Sequence, residues 1–198
     1  METRMIYLVR HGKIERSDER RYIGQIDLPL SVEGSGQAKI VQQIIGRWKI
    51  NAAFCSDLVR SKETAQIIVA PHGIPVAARA ELREISLGKW EGCRFDDIAK
   101  KFPNEFKARG QDIAYYRVPG GESFADCSKR VVGVFKDILA TTKGNVLIVG
   151  HAGVNRLILS HILGIPLTNI FRIGQDYGCI NIIQCTKSSQ QVKLINYK

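Results

Sequence analysis

The sequence predicts an α/β fold: a mostly parallel central sheet with helices on both faces and a hairpin at the C-terminus. Three observations carry that prediction. Short runs of β-branched and apolar residues alternate with longer stretches whose apolar residues recur at helical spacing, the pattern of a parallel sheet covered on both sides. Two of the short runs end in Arg10-His11-Gly12 and in Gly150-His151-Ala152-Gly153, as strands do when they deliver side chains to the carboxyl edge of a sheet. The chain of 198 residues, 44% of them apolar and 24% charged, can bury a substantial core and fits one domain, 1–198, better than two.

The elements follow in order. A buried strand is expected at 5–9, from Met5-Ile6-Tyr7-Leu8-Val9. Ser31 suits the N-cap of a helix in which Ala38, Val41, Ile44, Ile45 and Trp48 share a face, with Gly46 weakening its last turn. A strand at 52–55 leads to a helix from about Ser61 through Ala65, Ile68 and Val69, stopped by Pro71 and Gly73. A third strand falls at 75–78. The stretch 94–121 contains Pro103, Gly110, Pro119, Gly120 and Gly121; it is the least regular part of the chain and reads as a lid or substrate wall. A helix after Phe124 aligns Val131, Val134, Phe135 and Ile138, and a strand follows at 146–149. The helix after Gly153 buries Val154, Leu157, Ile158 and Ile162 and ends at Gly164. Apolar runs at 179–185 and 192–195, divided by polar residues, form the terminal hairpin, whose edge offers a surface for a homodimer.

Composition narrows the function. No apolar run approaches the ~20 residues of a membrane span, and the start Met1-Glu2-Thr3-Arg4 before five apolar residues is too short for a signal peptide. A cytoplasmic protein is expected. Five cysteines without a CxxC pair are expected as reduced, mostly buried thiols. The net charge is +10, but acids and bases interleave, as in Asp18-Glu19-Arg20-Arg21. That pattern favours a local anion pocket over a nucleic-acid or membrane surface.

The histidine motifs suggest which anion. At a strand end, an arginine can fork onto a phosphate, an imidazole can attack phosphorus, and a glycine lets the backbone approach. Arg60 lies in or near the first turn of a helix, where free N–H groups attract anions. Glu84, in an apolar, glycine-punctuated turn after the third strand, is the candidate acid, with Glu91 as the alternative. An ion pair from Glu84 to Arg83 or Arg79 is the competing, purely structural expectation. His72 and His161 read as structural or surface residues. With no HExxH, paired cysteines or aspartate cluster beside His11 or His151, no metal is expected, and no cofactor.

Taken together, these segments resemble the histidine phosphatase superfamily, the group that includes cofactor-dependent phosphoglycerate mutase and many small phosphatases. Arg10-His11-Gly12 is similar to its signature tripeptide, and the segment from Tyr22-Ile23-Gly24-Gln25 to Leu30-Ser31 to its glycine, aspartate and Leu-Ser run. Ser56-Asp57-Leu58-Val59-Arg60 resembles its second-arginine segment, Leu82-Arg83-Glu84 to Trp90-Glu91-Gly92 its acid segment, and Gly120-Gly121-Glu122-Ser123 and Gly150-His151-Ala152-Gly153 complete the order. Size and the Gly-Gly-Glu-Ser segment look most like the α-ribazole and phosphoserine phosphatase branch. The resemblance implies a metal-independent phosphatase acting on a small phosphorylated metabolite: His11 as nucleophile, Glu84 as acid, and Arg10, Arg60 and His151 stabilising the phosphoryl group. Gly12, Lys13, Ile23, Gly24 and Ala152 join Arg10 and Arg60 as implied substrate contacts. Lys13-Ile14-Glu15-Arg16 stands where the family usually has an acid or amide and a threonine, and Ala152 where it has a glycine. A mutase sharing the same residues and a non-catalytic basic binding protein on the same scaffold are the alternatives.

Overall fold

The computed structural model describes residues 3–15 and 20–198; Met1 and Glu2, Arg16 and the Asp18-Glu19 pair lie outside the described residues. Its strands are β1 (Arg4–Arg10), β2 (Ala52–Cys55), β3 (Val76–Ala78), β4 (Val146–Gly150), β5 (Ile180–Cys185) and β6 (Gln190–Tyr197), in the spatial order β3-β2-β4-β1-β5-β6. The first four run parallel, and β5 and β6 add antiparallel at one end. The mostly parallel sheet and terminal hairpin are those the sequence predicts. Strands joined by a crossover helix can be parallel, whereas the short turn between β5 and β6 permits only an antiparallel return.

Alternation along β1 and β4 explains their unbroken apolar runs. Ile6, Leu8, Val146 and Ile148 face one core layer, and Tyr7, Val9, Leu147 and Val149 face the other. Both layers are covered. On the second face lie α1 (Val32–Ile45) and α2 (Val59–Val69). Between β3 and β4 come α3 (Phe95–Lys101), α4 (Pro103–Gln111) and α5 (Phe124–Thr141), and β4 leads into α6 (Ala152–Leu163). The apolar stripes of α5 and α6 fill the first core layer.

The helix ends are chemically specified. Ser31 Oγ accepts from the Gly34 N–H at 3.0 Å, and Gly164 ends α6 in the left-handed region at φ 66°. A capping box of Ser123 and Asp126 opens α5. Leu58 cannot cap α2, and Asp27 does so from a distance, its Oδ1 accepting from Val59 N–H at 2.7 Å. One expectation is corrected. The stretch 94–121 holds α3 and α4, because Pro103 starts a helix at its first position rather than breaking one.

Candidate active site

Strand register builds the centre of the site. Arg10 pairs with Gly150 across parallel β1 and β4, so the next residue of each strand, His11 and His151, leaves the sheet edge at the same level. The His11 N–H donates to Gly150 O at 3.0 Å. The two rings meet edge-on with centroids 5.0 Å apart, and both side chains are buried. His11 Nδ1 lies 2.7 Å from Gly12 O; a carbonyl only accepts, so Nδ1 carries the proton and Nε2 keeps its lone pair. Burial first, then the charges of Arg10 and Arg60, hold His11 well below the ordinary histidine range. His151 is lowered likewise by burial and then by Arg60. Its Nε2 shares a hydrogen with Ser56 Oγ at 2.7 Å.

Two arginines flank the histidines. Arg10 Nη1 donates to Gln175 O at 2.6 Å, and its guanidinium stacks 3.8 Å from the centre of the Tyr177 ring. Arg60, 1% exposed on the first turn of α2, donates from its two terminal nitrogens to Ile26 O at 2.7 Å and Gly24 O at 2.8 Å. Among the described residues, Arg10 Nε, Arg60 Nε and His151 Nδ1 are buried with no protein hydrogen-bond partner. Buried polar groups ordinarily have partners, so two orphaned guanidinium donors and an orphaned ring nitrogen, beside a neutral imidazole, mark a place for an anion's oxygens.

Glu84 enters from the loop after β3. Its Oε2 accepts from Gly153 N–H at 3.1 Å, at the start of α6, and its Oε1 from Ile85 N–H at 3.0 Å. The expected alternative of an ion pair to Arg83 or Arg79 is corrected: Arg83 forks onto Asp57 at 2.6 and 2.7 Å, and Arg79 reaches Asp137 at 3.8 Å. Glu91 is a brace, its Oε1 accepting from Gln25 and Leu87 N–H, both at 3.1 Å. Arg130 on α5 fixes the Glu84 loop. It forks onto Glu122 and donates to the carbonyls of Glu81, Arg83 and Glu84. Burial works to raise the Glu122 carboxyl, but Arg130 and the Ser86 N–H hold it below the usual range.

These groups open onto a cavity of about 450 Å³ whose wall includes Arg10, His11, Ile23, Gly24, Arg60, Glu84 and Ala152. Gly12 and Lys13 are not among the residues that line it. The Gly12 N–H is taken by Thr64 Oγ1 at 3.1 Å, and a Cβ at Gly12 would sit 2.3 Å from Gly34 O; this glycine serves the packing of α1. Lys13 pairs with Glu33 at 2.5 Å instead. From the 94–121 stretch, Phe95 and Arg109 reach the wall, while Arg117 turns to Asp126 and Tyr115 is exposed. Sequence reasoning missed Ser56, Arg130, Arg156, Gln175 and Tyr177. Arg156 alone left a signal, the one arginine in a mostly apolar helix, one turn from Ala152. No group of three or more His, Cys, Asp or Glu that could hold a metal lies together among the described residues.

A parallel sheet edge that joins a neutral histidine, two arginines and one tethered carboxylate defines a histidine-centred, anion-handling α/β protein. The model of the histidine phosphatase superfamily, branch 1, matches residues 6–198, and the chain belongs to that family. It is 27% identical over 192 residues to the adenosylcobalamin/alpha-ribazole phosphatase of Salmonella typhimurium, covering 96% of this chain and 95% of the relative. To a protein of Serratia proteamaculans named "Probable phosphoglycerate mutase GpmB" it is 34% identical over 162 residues, 81% of this chain and 75% of the relative. The solved alpha-ribazole phosphatase of Shigella flexneri superposes with a TM-score of 0.89 at 26% identity, over 97% of this chain and 96% of that one.

Proposed function

We propose that the protein is a phosphatase that hydrolyses a small phosphomonoester through a phosphohistidine on His11. The observation that carries this reading is the neutral, buried His11 with an available Nε2, set among the buried Arg10 Nε, Arg60 Nε and His151 Nδ1, which lack protein partners among the described residues. In the first step Nε2 attacks phosphorus in line and the ester P–O bond breaks, with Glu84 giving its proton to the departing alkoxide. In the second, water attacks the phosphohistidine, gives a proton to Glu84, and inorganic phosphate leaves. Arg10, Arg60 and the His151 Nδ1–H meet the phosphoryl oxygens as charge builds. Ile23, Gly24 and Ala152 wall the substrate, and α3 and α4 form its lid. Family membership and the phosphatase relatives support the same chemistry. We place the enzyme in the cytoplasm, consistent with its unpaired cysteines, and read the β6 edge as its self-association surface. Among the described residues no helix is long and apolar enough to cross a membrane.

Phosphoglycerate mutase is the second reading, favoured by the GpmB relative. A single assay separates the two: 3-phosphoglycerate incubated with and without 2,3-bisphosphoglycerate should release inorganic phosphate rather than form 2-phosphoglycerate. With p-nitrophenyl phosphate, His11→Ala should lose turnover and the trapped phosphoenzyme together. Retention of more than a tenth of the activity would remove His11 as nucleophile.

A further inference from the structure

Arg10 leaves β1 at the sheet edge, and the groups that fix its guanidinium come from one short loop, 174–179, ahead of β5. Gln175 O accepts from Nη1 at 2.6 Å, and the Tyr177 ring centre lies 3.8 Å from the guanidinium carbon. The same ring lies 5.6 Å from that of His11. Backbone bonds join the loop to both residues: the Arg10 N–H donates to Cys179 O at 3.1 Å, and the Gly178 N–H donates to His11 O at 3.2 Å. With one terminal nitrogen taken and one face covered, Arg10 Nε is buried without a protein partner among the described residues. The donors of a guanidinium lie in one rigid plane, so holding Nη1 and the ring face sets the direction in which Nε points.

What fixes the loop is a cluster of side-chain amides. Gln175 is buried together with Asn155, on the first turn of α6, and Asn181, on β5. Gln175 Oε1 accepts from Asn155 Nδ2 at 3.1 Å and from Asn181 Nδ2 at 3.0 Å, while its Nε2 donates to Asn181 Oδ1 and Gly174 O, both at 2.7 Å. Asn181 carries the cluster outward: Nδ2 also donates to Leu8 O of β1 at 2.9 Å, and Oδ1 accepts from the Asn196 N–H of β6 at 3.0 Å. The loop is thereby tied to α6, β1, β5 and β6. Buried amides with satisfied donors and acceptors fit in one orientation only, a directionality that apolar packing lacks. The cluster also has a cost, for Asn155 Oδ1 is buried with no partner among the described residues, a desolvation penalty that an apolar side chain would not carry. Packing alone is better served by leucine here; what the amides add is a fixed direction for Arg10.

We propose that Tyr177 and Gln175, the latter locked by Asn155 and Asn181, are positioning residues that act through Arg10 and aim its Nε at the phosphoryl oxygens. The role rests on the phosphatase reading. Gln175→Leu and Tyr177→Leu, each checked for folding by circular dichroism, should lower kcat/KM for p-nitrophenyl phosphate by about tenfold or more, and Tyr177→Phe, which keeps the ring, should recover most of that loss. In an Arg10→Ala background, read in single turnovers with enzyme in excess, the same leucine substitutions should cost about twofold or less, because the group they aim is already gone. A residue that only supports the fold would cost as much in both backgrounds, so equal losses with and without Arg10 would overturn the assignment. Should Gln175→Leu fail to fold, Asn155→Leu, which removes one donor to Gln175 together with the orphaned oxygen, takes its place in the comparison.

A second measurement does not depend on turnover. In the nitrogen–proton correlation spectrum of the phosphate-free protein, the Arg10 Nε–H signal, identified by its absence from Arg10→Ala, should be sharp in the wild type and should shift or broaden in both leucine variants. An unchanged signal in the folded variants would overturn the positioning role and leave the phosphatase reading standing. A signal that responds as expected, in a wild type that hydrolyses neither p-nitrophenyl phosphate nor an alkyl phosphate, would overturn the phosphatase reading and with it any part for these residues in phosphoryl transfer.

Discussion

Glu84 and Glu91 lie seven residues apart in one loop, and what separates them is the set of atoms each touches. Glu91 spends its Oε1 on two backbone N–H groups and does not line the cavity. Glu84 lines the cavity and reaches across to the first turn of α6. In the proposed reaction the acid matters most where the leaving group is a poor one. Glu84→Gln should therefore slow hydrolysis of an alkyl phosphate by ~10²–10⁴ and that of p-nitrophenyl phosphate much less, since nitrophenolate departs without a proton. Equal losses in steady-state kcat on the two substrates would take the acid role away from Glu84. The candidacy of Glu84 was legible from its place after a strand, but its tether to Gly153 was not, because that contact joins residues 69 positions apart. Ser56 was hidden in the same way: its partner, His151, is 95 residues distant.

At the level of elements, α6 starts where the chemistry sits, and Gly153 in its first turn has a specific reason to be glycine. A Cβ there would stand 2.4 Å from Glu84 Oε1. Alanine is the better helix former by about 1 kcal/mol, so Gly153→Ala should preserve the helical circular dichroism spectrum while displacing the carboxylate. We expect kcat on alkyl phosphates to fall at least tenfold, with p-nitrophenyl phosphate less affected; full activity on both would show that Glu84 need not sit against α6. Strands and long amphipathic helices were readable because burial imposes a period on their residues. In α4, no residue is buried, so there was no such period to read, and Pro103 and Gly110 suggested breaks. The Asp27 cap of α2 was likewise silent, since its donor lies 32 residues away.

The whole molecule carries two fully buried histidines whose proton affinity is depressed, and this ties its stability to pH. In the unfolded chain both protonate near pH ~6.5. The folded protein keeps them neutral to lower pH, so below ~6.5 unfolding takes up protons and stability falls with pH. Above that value both states are neutral there and this contribution vanishes. Melting temperatures measured without phosphate from pH 8 to pH 5 should fall more steeply below 6.5 for the wild type than for the His11→Asn/His151→Asn variant. Parallel slopes would mean that these histidines do not govern the acid limb.

The pairing of Arg10 with Gly150 has a further consequence, for how the molecule can go wrong. Side chains alternate between the two faces of a sheet, so a slip of one residue between β1 and β4 would turn every neighbour on the shifted strand inside out. It would also carry one histidine out of level with the other. A chain that reached a compact but misregistered state could keep its helices and much of its burial, yet it would be chemically silent. Turnover in a refolding experiment would then count only the molecules whose central strands have found the correct partners, making the enzyme a reporter of its own assembly.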